Sequence, residues 1–368
     1  MIHQYKNNGY NIVMDVCSGA IHVVDDVTYD VIALYEEKSL EEIENELSYS
    51  KEDIEEAYKE VTSLKEEGLL FTEDIYEDYI KEVKSRKTVV KALCLHIAHD
   101  CNLACRYCFA EEGEYKGHRE LMSAKVGKAA LDFLVANSGN RHNLEVDFFG
   151  GEPTMNFGVV KEVVEYGRSL EEKHNKHFRF TLTTNGVLLN DEIMEFANKE
   201  MDNVVLSVDG RKEIHDYMRP TRNGKPSYDL IMPKFIRFAE SRHQQKYYVR
   251  GTFTNRNLDF SKDVLHLADL GFEQISMEPV VGQPEEPYAI QEKDLPQIFD
   301  EYDRLAKEMI KREKAGKGFN FFHFMIDLTG GPCVAKRLSG CGSGTEYLAV
   351  TPWGDLYPCH QFVGNEKF

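Results

Sequence analysis

Three cysteines, Cys101, Cys105 and Cys108, lie close together with the spacing C-x3-C-x2-C. They directly follow the apolar, strand-like segment 90–98. A loop this short could place its sulfurs at three corners of a cubane iron–sulfur cluster, which needs four ligands. One iron would then stay open for a substrate or cofactor, as an open position does in catalytic metal sites generally.

Other chemistries compete for the same thiols. A disulfide is disfavoured because pairing would leave one thiol over and no secretory context supports oxidation. A tetrahedral zinc site, with His99 or a distant group as the fourth ligand, stays open as an alternative. The spacing also differs from both common ferredoxin patterns, which disfavours a simple electron carrier.

The segment 101–108, CNLACRYC, resembles the signature of the radical S-adenosylmethionine (SAM) superfamily, including the aromatic Tyr107 before the last cysteine. The resemblance implies that Cys101, Cys105 and Cys108 bind a [4Fe–4S] cluster and act in catalysis, with Tyr107 beside the cofactor. It also implies that the open iron binds the amino and carboxylate groups of SAM. The reduced cluster would then cleave SAM to methionine and a 5′-deoxyadenosyl radical.

A β–α alternation begins near residue 88 and predicts the elements that position this loop. Strands are predicted at 89–98, 143–149, 178–184, 204–208, 247–254 and 272–279, and helices at 123–137, 159–174, 191–199, 228–242, 261–270 and 295–315. Such alternation indicates an α/β fold of parallel strands with helical crossovers. The catalytic groups of parallel barrels lie at the C-terminal ends of the strands. The resemblance specifies an open (β/α)6 partial TIM barrel.

The segment Gly150-Gly151-Glu152-Pro153 follows the second predicted strand. Two glycines let the backbone approach a ligand closely, and the glutamate adds an acceptor. A bare glycine pair otherwise marks a tight turn. This segment matches the superfamily's GGEP motif, which implies that its backbone holds the amino group of SAM.

Short polar side chains end the next two strands: Thr183 and Asn185 after the third, Ser207 and Asp209 after the fourth. They could bond a ribose or a carboxylate, although both segments are also ordinary turn sequences. By the resemblance, Ser207 and the region of Asn185 lie near the ribose and carboxylate of SAM.

Two charged residues complete the predicted site. Arg219 looks like the superfamily's arginine that pairs with the SAM carboxylate, a fork-like contact that suits a guanidinium. Glu278, at the end of the sixth strand, is either a polar wall of the cavity or a structural cap.

A second group of cysteines lies near the end of the sequence: Cys333, Cys341 and Cys359, spaced C-x7-C-x17-C. It resembles the start of a SPASM domain, which implies that these thiols bind an auxiliary [4Fe–4S] cluster. No C-x2-C-x5-C-x3-C run follows, so the fourth position is open to solvent, to a cysteine missing from this sequence or to a substrate thiol, and His360 is a less favoured ligand. A structural zinc site is the alternative. Cys17 and Cys94 stand alone and receive no role.

The first 75 residues predict a small winged-helix-like domain. Two strands within 10–25, helices at 26–35, 39–47 and 51–67, and a strand at 69–72 make up the pattern. It resembles the peptide-recognition domain that precedes many radical SAM enzymes acting on ribosomally made peptides, which implies strand addition by a leader peptide. A dimerisation or DNA-binding winged helix is the alternative. The predicted organisation is 1–75 leader-peptide recognition, 76–88 linker, 89–318 partial barrel and 319–368 SPASM-like extension.

Composition narrows the compartment and the partners. The net charge of −19 argues against nucleic acid as a partner, since phosphate binding needs a basic surface. Much of the acid lies between residues 36 and 82, as a solvated helical face or as a surface for a basic partner. No apolar run approaches the roughly 20 residues of a membrane span and no signal peptide is evident, so a cytoplasmic location is expected.

Over its length the sequence resembles the maturases of SCIFF peptides. These peptides are named for having six cysteines in forty-five residues. The resemblance implies a radical SAM enzyme that forms thioethers, from a cysteine sulfur to a carbon, in a cysteine-rich precursor bound through its leader. An electron donor such as flavodoxin or ferredoxin is the other expected partner. The alternatives are an anaerobic sulfatase-type maturase, which forms formylglycine, and a non-catalytic peptide-binding scaffold with metal clusters.

Overall fold

The computed structural model describes residues 1–75, 79–85, 88–328, 340–365 and 367. Two units can be separated: Met1–Lys87 with Ile326–Cys341, and Thr88–Met325 with Gly342–Phe368. Among the described helices, none is both long and apolar enough to cross a membrane.

The N-terminal unit contains an antiparallel sheet in the order β1-β2-β3, followed by helices. The bounds are β1 Ile2–Asn7, β2 Tyr10–Asp15, β3 Ile21–Val24, α1 Asp26–Leu34, α2 Leu40–Glu46, α3 Lys51–Glu66 and α4 Tyr79–Ser85. Ser50 caps α3 as its position suggests, because its hydroxyl accepts a hydrogen bond from the N–H of Asp53 at 3.1 Å. The three predicted helices are therefore confirmed, and α4 lies within the predicted linker 76–88.

Two elements of this unit differ from the prediction. Strand β1 was not predicted, because its polar sequence IHQYKN leaves only Ile2 and Gln4 half-buried. The strand predicted at 69–72 is wrong. The N–H and the hydroxyl of Thr72 donate to the carboxylate of Asp15 at 2.8 and 2.7 Å, so a side chain replaces the expected strand partner.

The acidic stretch forms an exposed helical face. In α3, Ile54, Ala57 and Val61 are buried, while most of the charged positions between them are exposed. This arrangement is that of an amphipathic surface helix with one apolar stripe on the core.

Six parallel strands form the centre of the second unit and confirm the predicted β–α alternation. They are β4 Ala92–Ala98, β5 Asn143–Gly150, β6 His177–Thr184, β7 Asn203–Ser207, β8 Tyr247–Phe253 and β9 Gln274–Pro279. Side chains alternate along each strand. In β5, Val146 and Phe148 are fully buried in the main core, while Asp147 is only half-buried on the other face.

The helices of this unit include one that was not predicted. They are α5 Ala124–Asn137, α6 Phe157–His174, α7 Asp191–Glu200, α8 Lys212–Met218, α9 Tyr228–Ser241, α10 Ser261–Asp269 and α11 Leu295–Lys314. The extra helix, α8, has seven residues. It is too short to show the apolar periodicity by which the other helices were predicted.

In the described part of the chain beyond residue 318, three further strands extend the sheet: β10 Asn320–Phe321, β11 Tyr347–Val350 and β12 Leu356–Tyr357. The order of the described strands is β10-β9-β8-β7-β6-β5-β4-β11-β12, so β4, the strand before the cysteine loop, lies between β5 and β11. Strand β11 runs parallel to β4. Part of the segment predicted as a separate C-terminal extension therefore continues the same sheet as the six parallel strands. The parallel α/β fold is confirmed, and the functional identity of each domain stays a prediction.

Candidate functional site

The loop that carries the cysteine triad leaves β4 at Ala98 and borders a cavity at the C-terminal ends of the parallel strands. All three thiols line this cavity. The predicted site residues that line it are Cys101, Cys105, Tyr107, Cys108, Gly150, Gly151, Glu152, Thr183, Asn185, Ser207 and Arg219. Pro153 and Asp209 were also predicted as site residues, but they lie behind the cavity wall and not on it.

The glycine pair at the end of β5 serves the packing of the loops. The N–H of Gly151 donates to the carbonyl of Ala98 at 2.7 Å. A Cβ atom on Gly150 would lie 2.4 Å from that carbonyl oxygen, and one on Gly151 would lie 2.2 Å from the carbonyl oxygen of Asp100. Only glycine allows this close approach. The pair therefore fixes the start of the cysteine loop against the end of β5.

Glu152 is buried, and its carboxylate is fully engaged by the chain itself. One oxygen accepts from the hydroxyl of Thr184 at 2.8 Å and from both the N–H and the hydroxyl of Thr154. The other accepts from the N–H of Asn185 at 2.7 Å. Burial raises the pKa of this carboxyl, against these hydrogen bonds. Glu152 thus ties the loop after β5 to the end of β6.

Asn185 connects that loop to the first cysteine. Its side-chain N–H donates to the Oδ1 atom of Asn102 at 2.7 Å and lies 3.6 Å from the sulfur of Cys101. The N–H of Leu103 is 3.5 Å from the same sulfur. Two N–H donors are therefore directed at Cys101, an arrangement that stabilises a thiolate.

Burial raises the pKa of the Cys101 thiol to about 12 and that of the Cys105 thiol to about 11. Such thiols ionise at neutral pH when a metal ion takes the place of the proton. The loop is therefore suited to metal ligation and poorly suited to free-thiol nucleophilic chemistry.

Tyr107 and Arg219 of the cavity wall form a hydrogen-bonded network with the buried Asp209 behind it. The Tyr107 hydroxyl donates to both carboxylate oxygens of Asp209, at 2.8 and 2.7 Å, and accepts from Nη1 of Arg219 at 2.8 Å. The N–H of Thr252 also donates to Asp209, at 3.1 Å. Asp209 is therefore a positioning residue, which holds the tyrosine and the arginine of the cavity wall in place.

The geometry fits a cluster with a polar ligand beside it. Among the described residues, no three His, Cys, Asp or Glu side chains are grouped closely enough to hold a single metal ion. In a cubane each thiolate binds a different iron, so its ligands need not meet at one point. The Nε atom of Arg219 is buried and has no partner within the described part of the chain. This donor remains free for an anionic group in the cavity.

The zinc alternative gains no support from His99. This side chain is not part of the cavity wall, and its Nε2 atom lies 2.9 Å from Nδ1 of His96. Its ring stacks on Tyr115, with the centroids 4.7 Å apart, and Trp353 packs edge-on against it. His99 belongs to an aromatic cluster behind the cysteine loop.

The far wall of the cavity contains two charged residues, of which the sequence singled out Glu278 but not Arg250. Arg250 and Glu278 both line it. Glu278 accepts from the Ser276 hydroxyl at 2.6 Å and lies 2.9 Å from Nε2 of His323, whose other ring nitrogen is 2.7 Å from the Tyr302 hydroxyl. The hydrogen bond to His323 lowers the pKa of Glu278 to about 2. Of the two interpretations of Glu278, the cavity wall agrees with its position.

The cysteines of the second group are Cys333, Cys341 and Cys359, and of these the described Cys341 and Cys359 are not among the residues that line the cavity. Cys333 lies outside the described residues, and Cys341 is exposed. Cys359 is half-buried, and its sulfur lies 3.6 Å from Nδ1 of His360. That nitrogen is also 3.2 Å from the Tyr347 hydroxyl, and Tyr347 hydrogen-bonds to Cys94. Cys94, which received no role, therefore lies on the interior side of β4 beside β11.

Known proteins resemble this chain in sequence and in fold. The radical SAM superfamily profile matches residues 95–242. An uncharacterized protein of Methanocaldococcus jannaschii is 30% identical over 278 residues, which are 75% of this chain and 86% of the relative. The cysteine-type anaerobic sulfatase-maturating enzyme of Clostridium novyi is 25% identical over 73% of this chain and 72% of that enzyme.

A solved structure shares the fold over nearly the whole length. Streptococcus suis SuiB bound to the precursor peptide SuiA matches 97% of this chain and 82% of its own, with a TM-score of 0.56 and 17% sequence identity. The profile match includes the cysteine loop and the GGEP segment, and the relative from M. jannaschii covers three quarters of the sequence. The chain therefore belongs to the radical SAM superfamily and uses a [4Fe–4S] cluster and S-adenosylmethionine.

Proposed function

We propose that this radical SAM enzyme is a peptide maturase that forms thioether crosslinks, from a cysteine sulfur to a carbon, in a ribosomally made SCIFF precursor. One observation carries the proposal: the same chain contains the cysteine-lined cavity and an N-terminal antiparallel sheet whose outer strands are β1 and β3. Within the described residues β3 pairs only with β2. Its free edge could accept one further strand, such as a leader peptide.

Relatives support a peptide or protein substrate. The C. novyi relative is named for maturing a sulfatase, and SuiB was solved with its precursor peptide. The match to SuiB extends over 97% of this chain, so it includes the N-terminal unit as well as the barrel. We infer that this unit recognises the leader and that the modified segment enters the barrel cavity.

Residues of the cavity divide into two groups by position. Cys101, Cys105 and Cys108 would hold the cluster. The SAM side would be formed by the backbone of Gly150 to Glu152, with Thr183, Asn185, Ser207 and Arg219. When bound, the cluster and SAM supply a 5′-deoxyadenosyl radical that removes a hydrogen atom from the substrate. Arg219 would pair with the SAM carboxylate through its unused Nε donor.

The opposite wall would receive the peptide. Arg250 and the ionised Glu278 present one charge of each sign there, and His323 with Ser276 fixes the carboxylate. Groups held this firmly can orient a peptide backbone or a polar side chain without reorganising. We propose that they position the carbon from which hydrogen is removed.

Each crosslink removes two hydrogens from the peptide: one as an atom, taken by the adenosyl radical, and one as the thiol proton. The remaining electron needs an acceptor. We propose an auxiliary [4Fe–4S] cluster in this role, with Cys333, Cys341 and Cys359 as its ligands. Cys359 and its neighbour His360 lie next to the barrel strand β4, on the side of Cys94.

The test is anaerobic reconstitution with iron, sulfide, SAM, dithionite and a cysteine-rich SCIFF precursor carrying its leader, followed by tandem mass spectrometry. Thioether formation predicts a product lighter by two hydrogens per crosslink and release of 5′-deoxyadenosine. A precursor without its leader should react far more slowly, and the Cys101→Ala enzyme should not react. Unchanged peptide alongside rapid SAM cleavage would contradict the proposal.

A second function is favoured by the C. novyi relative, which aligns over 73% of this chain. An enzyme of that kind would convert a single cysteine to formylglycine. The same experiment separates the two outcomes, because formylglycine contains no sulfur and reacts with hydrazides, whereas a thioether keeps its sulfur and does not.

A further inference from the structure

The cysteine loop is bound to the end of α8 and the segment that follows it. Leu103 and Thr221 pair as an antiparallel bridge. The N–H of Ala104 donates to the carbonyl of Pro220 at 2.8 Å, and that of Arg106 donates to the carbonyl of Met218 at 2.9 Å. Residues 103–106 and 218–221 thus form a short two-stranded ribbon that includes Cys105.

Three side chains at one end of this ribbon form a cationic aromatic group. Tyr217 is 41% exposed, and the guanidinium carbons of Arg106 and Arg256 lie over its ring, 4.4 and 4.1 Å from the centroid. Arg106 also donates from Nε to the carbonyl of Tyr217 at 2.7 Å. The group joins the cysteine loop, the end of α8 and the loop after β8. We refer to Arg106, Tyr217 and Arg256 as the arginine–tyrosine surface.

Neither arginine has a carboxylate within ion-pair distance among the described residues. Arg222, at the other end of the ribbon, differs in this respect because it pairs with Asp100. Two exposed guanidinium groups beside one ring repel each other, and each cation–π contact contributes only about 0.5–1 kcal/mol. An anionic partner would supply the missing counter-charge.

The charge of the rest of the chain makes this surface selective. With a net charge of −19, the protein repels an acidic protein on average. An exposed, unneutralised pair of arginines with a tyrosine is therefore a local exception, composed of the residues that most often anchor interfaces. Complementary charge at such a site raises the association rate and fixes orientation.

The position of the surface indicates what the partner does. Arg106 is the neighbour of Cys105 and lies between two predicted cluster ligands. A protein seated on Arg106 would touch the loop that holds the cluster on a side that does not line the cavity where SAM and peptide would bind, because none of Arg106, Tyr217 and Arg256 is part of its wall. This side offers a short route to the cluster without displacing the substrate.

We propose that the arginine–tyrosine surface docks a small acidic one-electron carrier protein, which reduces the cluster. The proposal rests on the proposed radical SAM function. One electron leaves the carrier and enters the cluster for each encounter. With a flavin carrier, the anionic hydroquinone becomes the neutral semiquinone, so no proton moves.

The test compares a double charge reversal, Arg106→Glu with Arg256→Glu, against a matched control, Lys199→Glu with Lys307→Glu. Both control lysines are exposed and lie on α7 and α11. Both double variants change the net charge equally. Holoenzyme is used throughout, with equal iron and sulfide content, and with an acidic flavodoxin and an acidic ferredoxin as separate probes.

Two measurements are made for each carrier: the dissociation constant at two salt concentrations, and the rate of cluster reduction by stopped-flow spectroscopy. For at least one carrier, the arginine variant should bind at least about tenfold more weakly and lose most of its salt dependence. Its rate of reduction by that carrier should fall similarly. Reduction by dithionite should be unchanged, and the lysine control should behave like the native enzyme.

Equal losses in both double variants would overturn the proposal, because they would reflect net charge alone. Unchanged binding of both carriers, or failure of the native enzyme to bind either, would overturn it too.

The double variant could fail to take up the cluster, because Arg106 lies within the cysteine loop. In that case the same binding and reduction measurements are made on the single variant Arg256→Glu, since Arg256 lies outside the loop. Weaker binding of an acidic precursor peptide, with carrier binding unchanged, would assign the surface to substrate. No step needs the precursor peptide, so a failed crosslinking assay and a failed docking assay remain distinguishable.

Discussion

The hydroxyl of Tyr107 donates to both carboxylate oxygens of Asp209, at 2.8 and 2.7 Å. It connects a residue of the cysteine loop to the end of β7, 102 positions later in the sequence. Arg219 donates to the same hydroxyl at 2.8 Å, so the direction of the arginine depends on the tyrosine. The aromatic residue of the signature is therefore a structural link between the cysteine loop and the cavity wall that contains Arg219.

Replacing this tyrosine should weaken the fold. Tyr107→Phe leaves Asp209 and Arg219 buried with one partner fewer each, and we expect the free energy of unfolding to fall by about 1–3 kcal/mol. Thermal denaturation of matched holoenzyme samples measures the change. Tyr10→Phe is the control, since Tyr10 is 60% exposed on β2 and should shift the stability by less than about 0.5 kcal/mol. Equal melting temperatures for Tyr107→Phe and the native enzyme would contradict the linking role.

Removing one thiol of the triad should abolish the SAM-binding cluster. We expect Cys101→Ala to lose about four irons and four sulfides per chain, because a cubane held by two thiolates is not retained. Iron and acid-labile sulfide analysis of oxygen-free protein measures this loss. Cys17→Ala, in the N-terminal unit, should keep the native content. Retention of full iron content by Cys101→Ala would show that the triad is not the ligand set.

The glycine pair offers a steric test of loop packing. A Cβ on Gly151 would lie 2.2 Å from the carbonyl oxygen of Asp100, so Gly151→Ala must displace the backbone of the cysteine loop. We expect a lower melting temperature and poorer cluster incorporation. Gly158→Ala in α6 is the matched control, because nothing lies within 4 Å of its Cβ position. In a helix that change should stabilise by about 0.5–1 kcal/mol. Equal behaviour of the two variants would show that the close approach does not matter.

A pH-dependent effect is expected at Asp147, which lies half-buried on the face of β5 opposite the main core. Burial raises the pKa of this carboxyl from 3.8 to about 6, so its ionisation destabilises the folded chain as the pH rises through that interval. Asp147→Asn removes the ionisation. Its stability advantage over the native enzyme should therefore grow by about 1 kcal/mol between pH 5 and pH 7.5. Thermal denaturation across this range measures the difference, and an advantage independent of pH would contradict the account.

Local signals in the sequence predicted the parallel α/β sheet well. The six central strands and their long helices follow apolar patterns of period two or 3.6, and the cysteine spacing and the GGEP segment identified one side of the cavity. Strand β1 and helix α8 were not predicted, because the sequence of β1 is polar and α8 is short. Neither shows the periodicity on which the prediction depended.

The rest of the site depends on contacts that no local pattern reveals. Glu278 hydrogen-bonds to His323, 45 residues later in the sequence. The carboxylate of Glu152 accepts hydrogen bonds from Thr184 and Asn185, which are 32 and 33 residues later. The GGEP segment remains a predicted SAM-binding segment. In the structure its two glycines also let the loop after β5 pack closely against the cysteine loop. The spacing of a motif can indicate that a residue belongs to the site, but it does not show which residues elsewhere in the sequence contact it.

The parallel pairing of β11 with β4 has a consequence for how this protein is made. During translation, the ribosome releases β4 some 250 residues before the strand that covers its outer edge. Until then, a seven-residue, fully buried apolar strand has one row of backbone groups open to any passing chain. Fragments that stop short of residue 347 should therefore precipitate, and chaperones that shield strand edges should raise the yield of the intact enzyme.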